Sequence, residues 1–247
     1  MDIIKNPREK HASVVANLLN QNDYVFVSGK QMTSMLSTNV DEVVRFMSCW
    51  GQLERDRYMA DGGGYRYRRY GQFNKLKNTR QLVMLPHEPY VQPASVNPLN
   101  GDVERHFEPL TDRFTLSPIL EKLLLMMSDI YDAAQGEGTD WNIRLHPYRI
   151  IADELEQGKP TPEGLHRDGV TYIASMLISR TNITGGETVI TDDKRNVLER
   201  LTLEKTFDMV MADDLATMHE VSAISPICND KCAYRDVLVI AFTKMEE

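Results

Sequence analysis

From residue 141 onward the chain falls into short β-type stretches, at 141–152, 171–179, 187–190, 206–211, 214–222 and 234–243. Gly185-Gly186, Asp192-Asp193 and Asp213-Asp214 punctuate them, residue types that tight turns favour. A short strand can bury its apolar face only against another layer, so a series joined by turns must form facing sheets or a barrel. The expected fold is therefore mainly β with flanking helices: a double-stranded β-helix of the jelly-roll, cupin-like kind.

Residues 1–135 read as a helical and irregular prelude that braces this core, which spans 141–245. A helix is expected at 11–20, a strand at 24–28, and a second helix from Asn39 or Asp41 through Val43, Val44, Phe46 and Met47. Pro86, Pro89, Pro93 and Pro98 make 82–100 a loop-rich connection. Ser117-Pro118 marks a helix start, after which Ile119, Leu120, Leu123, Leu124, Met127, Ile130 and Tyr131 recur at helical spacing. With 247 residues, 42% of them hydrophobic, the chain can bury one full core, and a single domain over 1–247 is expected.

A net charge of −8 argues against nucleic acid as a partner, because phosphate binding rests on clustered positive charge. No stretch approaches the roughly 18 consecutive apolar residues of a membrane span, and the first ten residues lack a signal peptide's apolar middle. Three cysteines imply no disulfide framework. Cys228 and Cys232 read as plain thiols in a polar loop, and a cytoplasmic location is expected.

His166 and Asp168 stand at alternate positions, so a strand would project both from one face. The stretch 214–222 can bring His219 opposite them. Two imidazoles and one carboxylate leave metal positions open, the set that selects non-haem Fe(II). A closed structural site would instead use four protein ligands, often thiolates. Arg235 then interrupts the apolar stretch 234–242, on the same strand face as Val237, Val239 and Ala241. A guanidinium placed there needs an anion. A bidentate carboxylate ligand fits, and so does an internal salt bridge.

Earlier, three glycines at 62–64 lead into Tyr65, Arg66, Tyr67, Arg68 and Arg69. The spacing of a phosphate-binding loop is missing. As a strand, this segment sets Arg66 and Arg68 on one face, either as a structural salt bridge or as a cation for a substrate carboxylate. His146 and Arg149 lie on a stretch beside the proposed site. His146 reads either as a hydrogen-bonded core histidine or as a contact to substrate, and Arg149 is a further candidate contact.

Five ordered segments, 145–149, 165–169, 182–187, His219-Glu220-Val221 and 234–239, carry a resemblance. The chain resembles the 2-oxoglutarate/Fe(II)-dependent dioxygenases, and within them the bacterial group that hydroxylates free amino acids. The resemblance implies that His166, Asp168 and His219 bind Fe(II), that Arg235 grips the distal carboxylate of 2-oxoglutarate, and that O₂ is the second cosubstrate. It implies hydroxylation of a free L-amino acid with release of succinate and CO₂, on a small-molecule partner; a homodimer is compatible with it. Arg66, Arg68, His146 and Arg149 are the candidate substrate contacts. The same chemistry on a peptide or another small metabolite, or a non-catalytic metal-binding jelly roll linked to stress or biofilm formation, are the alternatives. A zinc hydrolase would leave Arg235 without a task. Two positions depart from the family: Val237 stands where many members place a serine or threonine, and Pro147 stands where close relatives have glutamine.

Overall fold

The computed structural model describes residues 7–96 and 101–246; Pro98, read above as part of a loop, lies outside them. Helix α1 (Pro7–Asn22) leads into strand β1 (Tyr24–Val27), then helices α2 (Gly29–Leu36) and α3 (Val40–Met47). Asn39, not Asp41, starts α3. Its side-chain oxygen accepts from the Glu42 amide at 3.0 Å while the Glu42 carboxylate accepts from the Asn39 amide at 3.1 Å, so two orphan N–H groups of the first turn are satisfied reciprocally. Strands β2 (Glu54–Arg55), β3 (Arg66–Arg68), β4 (Gly71–Lys75) and β5 (Leu82–Met84) follow, then α4 (Asp112–Thr115) and α5 (Pro118–Gln135). Ser117 precedes α5, but its hydroxyl makes no capping bond. The fixed φ of Pro118 sets the first turn instead.

The remaining strands are β6 (Trp141–Ala152), β7 (Tyr172–Thr181), β8 (Ile183–Gly185), β9 (Glu187–Asp192), β10 (Val197–Thr202), β11 (Met209–Asp213), β12 (Thr217–Val221), β13 (Ile224–Pro226) and β14 (Ala233–Lys244). The large sheet runs β1-β11-β7-β14-β6-β3-β2, with β4 also on β6 and β5 on β4. A small sheet of β10-β9-β12 and the pair β13-β8 face it, and all strand pairs are antiparallel. This is the jelly roll that the turn-punctuated stretches predict.

The period of two divides the large sheet into a helix side and a cavity side. Ala174, Met176, Ile178, Leu238, Ile240 and Phe242 join α1, α2, α3 and α5 in the main core. Ser175, Arg235, Val237 and Val239 point the other way and line a cavity. The sheet is thus backed by a packed layer of helices, which fixes the side chains in front. Cys49, Cys228 and Cys232 are free thiols. No helix among the described residues is long and apolar enough to cross a membrane.

Candidate metal centre

His166 and His219 sit side by side because their backbones exchange two hydrogen bonds. The His166 amide donates to the His219 carbonyl at 3.1 Å, and the His219 amide donates back at 2.9 Å. Such a pair brings the two side chains onto one face, and the ring centroids are 4.5 Å apart. Asp168 completes the group: one carboxylate oxygen lies 3.4 Å from His219 Nε2 and 4.0 Å from His166 Nε2. One potential ligand atom from each residue falls within 4.8 Å of the others, close enough to share an ion.

The strand expected at 166–168 is not one. His166 is a lone bridge residue within a loop. Gly164 and Gly169, at φ +75° and +73°, turn the chain on either side of it, and left-handed backbone of that kind breaks a ladder. The expected strand 214–222 likewise starts later, at Thr217. Asp213 accepts from the amides of Leu215 and Ala216 at 2.9 and 3.3 Å, which folds those residues into a turn.

The turn gives Asp214 a task that sequence reasoning missed. Fully buried, its two carboxylate oxygens accept from the amides of Asp168 at 3.1 Å and Val170 at 2.9 Å. It ties the ligand loop to β12's leading turn. Only a doubled Asp213-Asp214 signalled this, and it reads as turn punctuation. Asp214→Asn keeps the shape but turns one acceptor into a donor facing an N–H. Its affinity for Mn(II) in an anaerobic titration is expected to fall by about 10- to 100-fold, the scale of lost ligand support; unchanged affinity would refute that support.

Hydrogen bonds and burial set the protonation of the three side chains: against the lowering effect of burial, the Asp168 and Glu163 carboxylates raise the His166 pKa above its ordinary value. The Gly164 carbonyl, 2.9 Å from His166 Nδ1, can only accept, so it holds a proton there and makes Nε2, the nitrogen on the Asp168 side, the one available to a metal. Burial and the neighbouring His166 push the His219 pKa down to about 3, which keeps that ring neutral and ready to ligate. Burial raises the Asp168 carboxyl above its ordinary range, against the lowering effect of His166. Arg167, between the ligands, also borders the cavity, but its guanidinium is engaged elsewhere: Nε donates to the Thr217 carbonyl at 2.9 Å and Nη2 pairs with Asp193.

Arg235 lines the same cavity and is 2% exposed. Its Nε and Nη2 have no hydrogen-bond partner among the described residues. The internal salt bridge left open by the sequence is absent there, so the cationic end of the cavity is a ready seat for a carboxylate. Burial and then Arg180 lower its pKa to about 10, which still leaves it charged.

Arg66 and Arg68 meet both of their readings. Arg66 Nε lies 2.8 Å from the Asp56 carboxylate and Arg68 Nη1 3.8 Å from it, yet both line the cavity. The Arg68 guanidinium lies 3.7 Å from the Phe107 ring centre and 4.5 Å from that of Tyr148, contacts that stabilise a desolvated cation. Arg105 adds a third guanidinium to this wall, hydrogen-bonded to Gln92 at 2.8 Å. Arg66 and Arg68 thus share one acid, Asp56, and all three guanidiniums line the cavity. His146 also lines the cavity; burial and then Arg68 hold its pKa well below the ordinary value, so the neutral ring accepts from Arg68.

Arg149 does not line this cavity. It stands opposite Asp236 in the β6–β14 register and grips it through Nε and Nη2, both at 2.7 Å. The period of two explains it: His146, Tyr148 and Ile150 face the cavity, and an odd-numbered neighbour on that stretch cannot. Tyr90, Gln92 and Glu163 were not legible in the sequence. They come from irregular segments whose only signal is proline content.

Residues 47–241 match the model of the 2OG-Fe dioxygenase family. Among curated proteins, a 3(1)-hydroxy-L-isoleucine 4-dioxygenase of Pantoea ananatis is 28% identical over 94% of this chain and 96% of its own. Among solved structures, a bsmA homologue from Methylobium petroleophilum PM1 superposes with a TM-score of 0.84 at 31% identity, covering 94% of this chain and 93% of that one. The structure named IDO from Bacillus thuringiensis gives 0.77 at 17% identity, covering 100% and 99%; at that identity it speaks for the fold alone.

Proposed function

Because the chain belongs to the 2OG-Fe dioxygenase family, whose members use Fe(II), 2-oxoglutarate and O₂, we propose that it hydroxylates a free L-amino acid and releases succinate and CO₂. The observation that carries this reading is the amino acid dioxygenase relative, matched over nearly the whole of both chains. The cavity supports it with charges of both signs. In this reading His166, Asp168 and His219 hold the iron, and Arg235 holds the far carboxylate of the cosubstrate. Iron and cosubstrate, when bound, supply the oxidising chemistry.

The chain's own part is to hold and orient the substrate and keep water out. A zwitterion needs a cation, an acid and apolar walls. Arg66 and Arg68 supply the cation for its carboxylate. Glu163, which lines the cavity beside His166, supplies the acid for its ammonium. Val221, Val237, Val239 and Ile150 supply the apolar wall. His146, neutral and bonded to Arg68, orients that arginine.

The test is incubation of purified protein with Fe(II), ascorbate, 2-oxoglutarate and the twenty amino acids, read by mass spectrometry for a product heavier by one oxygen and for succinate. Succinate made only with peptide or cell extract would replace the free amino acid with another substrate; none under any condition would overturn the enzyme. For the amino acid that reacts, Arg66→Gln and Arg68→Gln are each expected to raise KM about 10- to 100-fold, the worth of a charge-assisted hydrogen bond, while KM for 2-oxoglutarate stays put. An unchanged amino acid KM in both would sink the assignment.

A further inference from the structure

Arg180 has no place in the site as built so far, yet it is registered directly across the sheet from Arg235. A bulge puts it there. Strands β7 and β14 pair in step from Phe242 opposite Tyr172 to Val237 opposite Leu177, then slip so that Asp236 meets Ser179 and Arg235 meets Arg180. Continued in step, the pairing would have set Ser179 opposite Arg235. Directly opposed residues of an antiparallel pair share a face, so the extra residue sets a second guanidinium beside that of Arg235, close enough to act on its charge.

Two like charges placed opposite each other destabilise a sheet unless something offsets them. Neither guanidinium has an ion-pair partner among the described residues. Arg180 is tied down at one corner only: Nη2 donates to the Gly185 carbonyl at 2.8 Å and reaches the Ile183 carbonyl at 3.4 Å. Its Nη1 is buried without a partner, as are Nε and Nη2 of Arg235. Both arms pack against Gly186: a methyl group built there would stand 3.0 Å from Arg180 Nη1, 3.4 Å from Ile224 Cγ2 and 3.5 Å from Arg235 Cδ, and the φ of +74° likewise keeps the position to glycine. Buried donors left over on two facing cations describe a site for an anion.

We propose that Arg180 and Arg235 form a two-guanidinium clamp on the distal carboxylate of 2-oxoglutarate. The proposal rests on the cosubstrate reading above. Arg180 gives Nη1–H and Arg235 gives Nε–H and Nη2–H, and a carboxylate has lone pairs enough for all three. The clamp makes Arg180 a specificity residue for dicarboxylate over monocarboxylate 2-oxo acids.

Anaerobic calorimetry with Mn(II) in place of iron measures binding without turnover. The ligands are 2-oxoglutarate and 2-oxobutyrate, which shares the 2-oxo acid end but has no distal carboxylate. Arg180→Gln is expected to weaken 2-oxoglutarate about 10- to 100-fold and leave 2-oxobutyrate unchanged, and Arg180→Lys is expected to recover part of the loss. Equal weakening of both ligands would mean that Arg180 only shapes the strand, and would overturn the clamp. So would undiminished 2-oxoglutarate binding in Arg180→Gln. Wild-type protein that binds neither ligand would bring down the cosubstrate reading and the clamp together; wild-type binding with an unaltered variant brings down the clamp alone.

Discussion

His219→Ala is expected to lower succinate formation by more than about 100-fold. Loss of an outer partner of a metal ligand costs about 10- to 100-fold, and a ligand itself must cost more. His219 faces the carboxylate of Asp168 at 3.4 Å, and without it two ligands remain on a single loop. The fold should survive. The buried ring is neutral, and its Nδ1 has no partner among the described residues, so alanine breaks no hydrogen bond of that side chain. The ligand-free melting temperature should therefore hold while Mn(II) affinity collapses. Full succinate formation in the variant, at saturating iron, would remove His219 from the centre.

Arg235→Met should weaken 2-oxoglutarate by on the order of 10²- to 10³-fold, the sum of two charge-assisted hydrogen bonds at about 1.5–3 kcal/mol each, discounted for partial replacement by water. The same change should make the ligand-free protein more stable. A buried cation without a partner is a cost that methionine removes at similar volume, and Arg180 would lose the like charge across the sheet. Each kcal/mol gained should raise the melting temperature by roughly 2–4 °C in a protein of this size. Opposite movements of affinity and stability are the signature of a side chain kept for its ligand. A variant that melts lower and binds as well would mean that Arg235 is a structural residue. Calorimetric titration and thermal unfolding of one preparation decide it.

What the sequence made legible follows from periodicity. The turn-bounded stretches after residue 140 foretold the jelly roll because the alternation of a strand is written residue by residue, and Arg235 stood out because it breaks an apolar run. His166, Asp168 and His219 were found by type and spacing although the strand invoked to join the first two does not exist; a single bridge and two left-handed glycines do the same work. Arg149 was misplaced for a reason the sequence did contain, since His146 and Arg149 differ by an odd number along one strand. Arg180 was out of reach. Its place depends on a slip between β7 and β14, and nothing local to either strand announces which residue will be the extra one. Asp56, Tyr90, Arg105 and Glu163 come from irregular segments, where contacts over long separations decide position.

Strand β14 has a further consequence. It comes last of the strands in chain order, yet it lies in the middle of the large sheet, between β7 and β6. A nascent polypeptide emerging from the ribosome must therefore hold β6 and β7 apart, each with a bare row of amides and carbonyls, until the final dozen strand residues arrive to join them. A chain cut anywhere before Ala233 leaves two unjoined half-sheets prone to clumping, and the sheet closes only once β14 has been made.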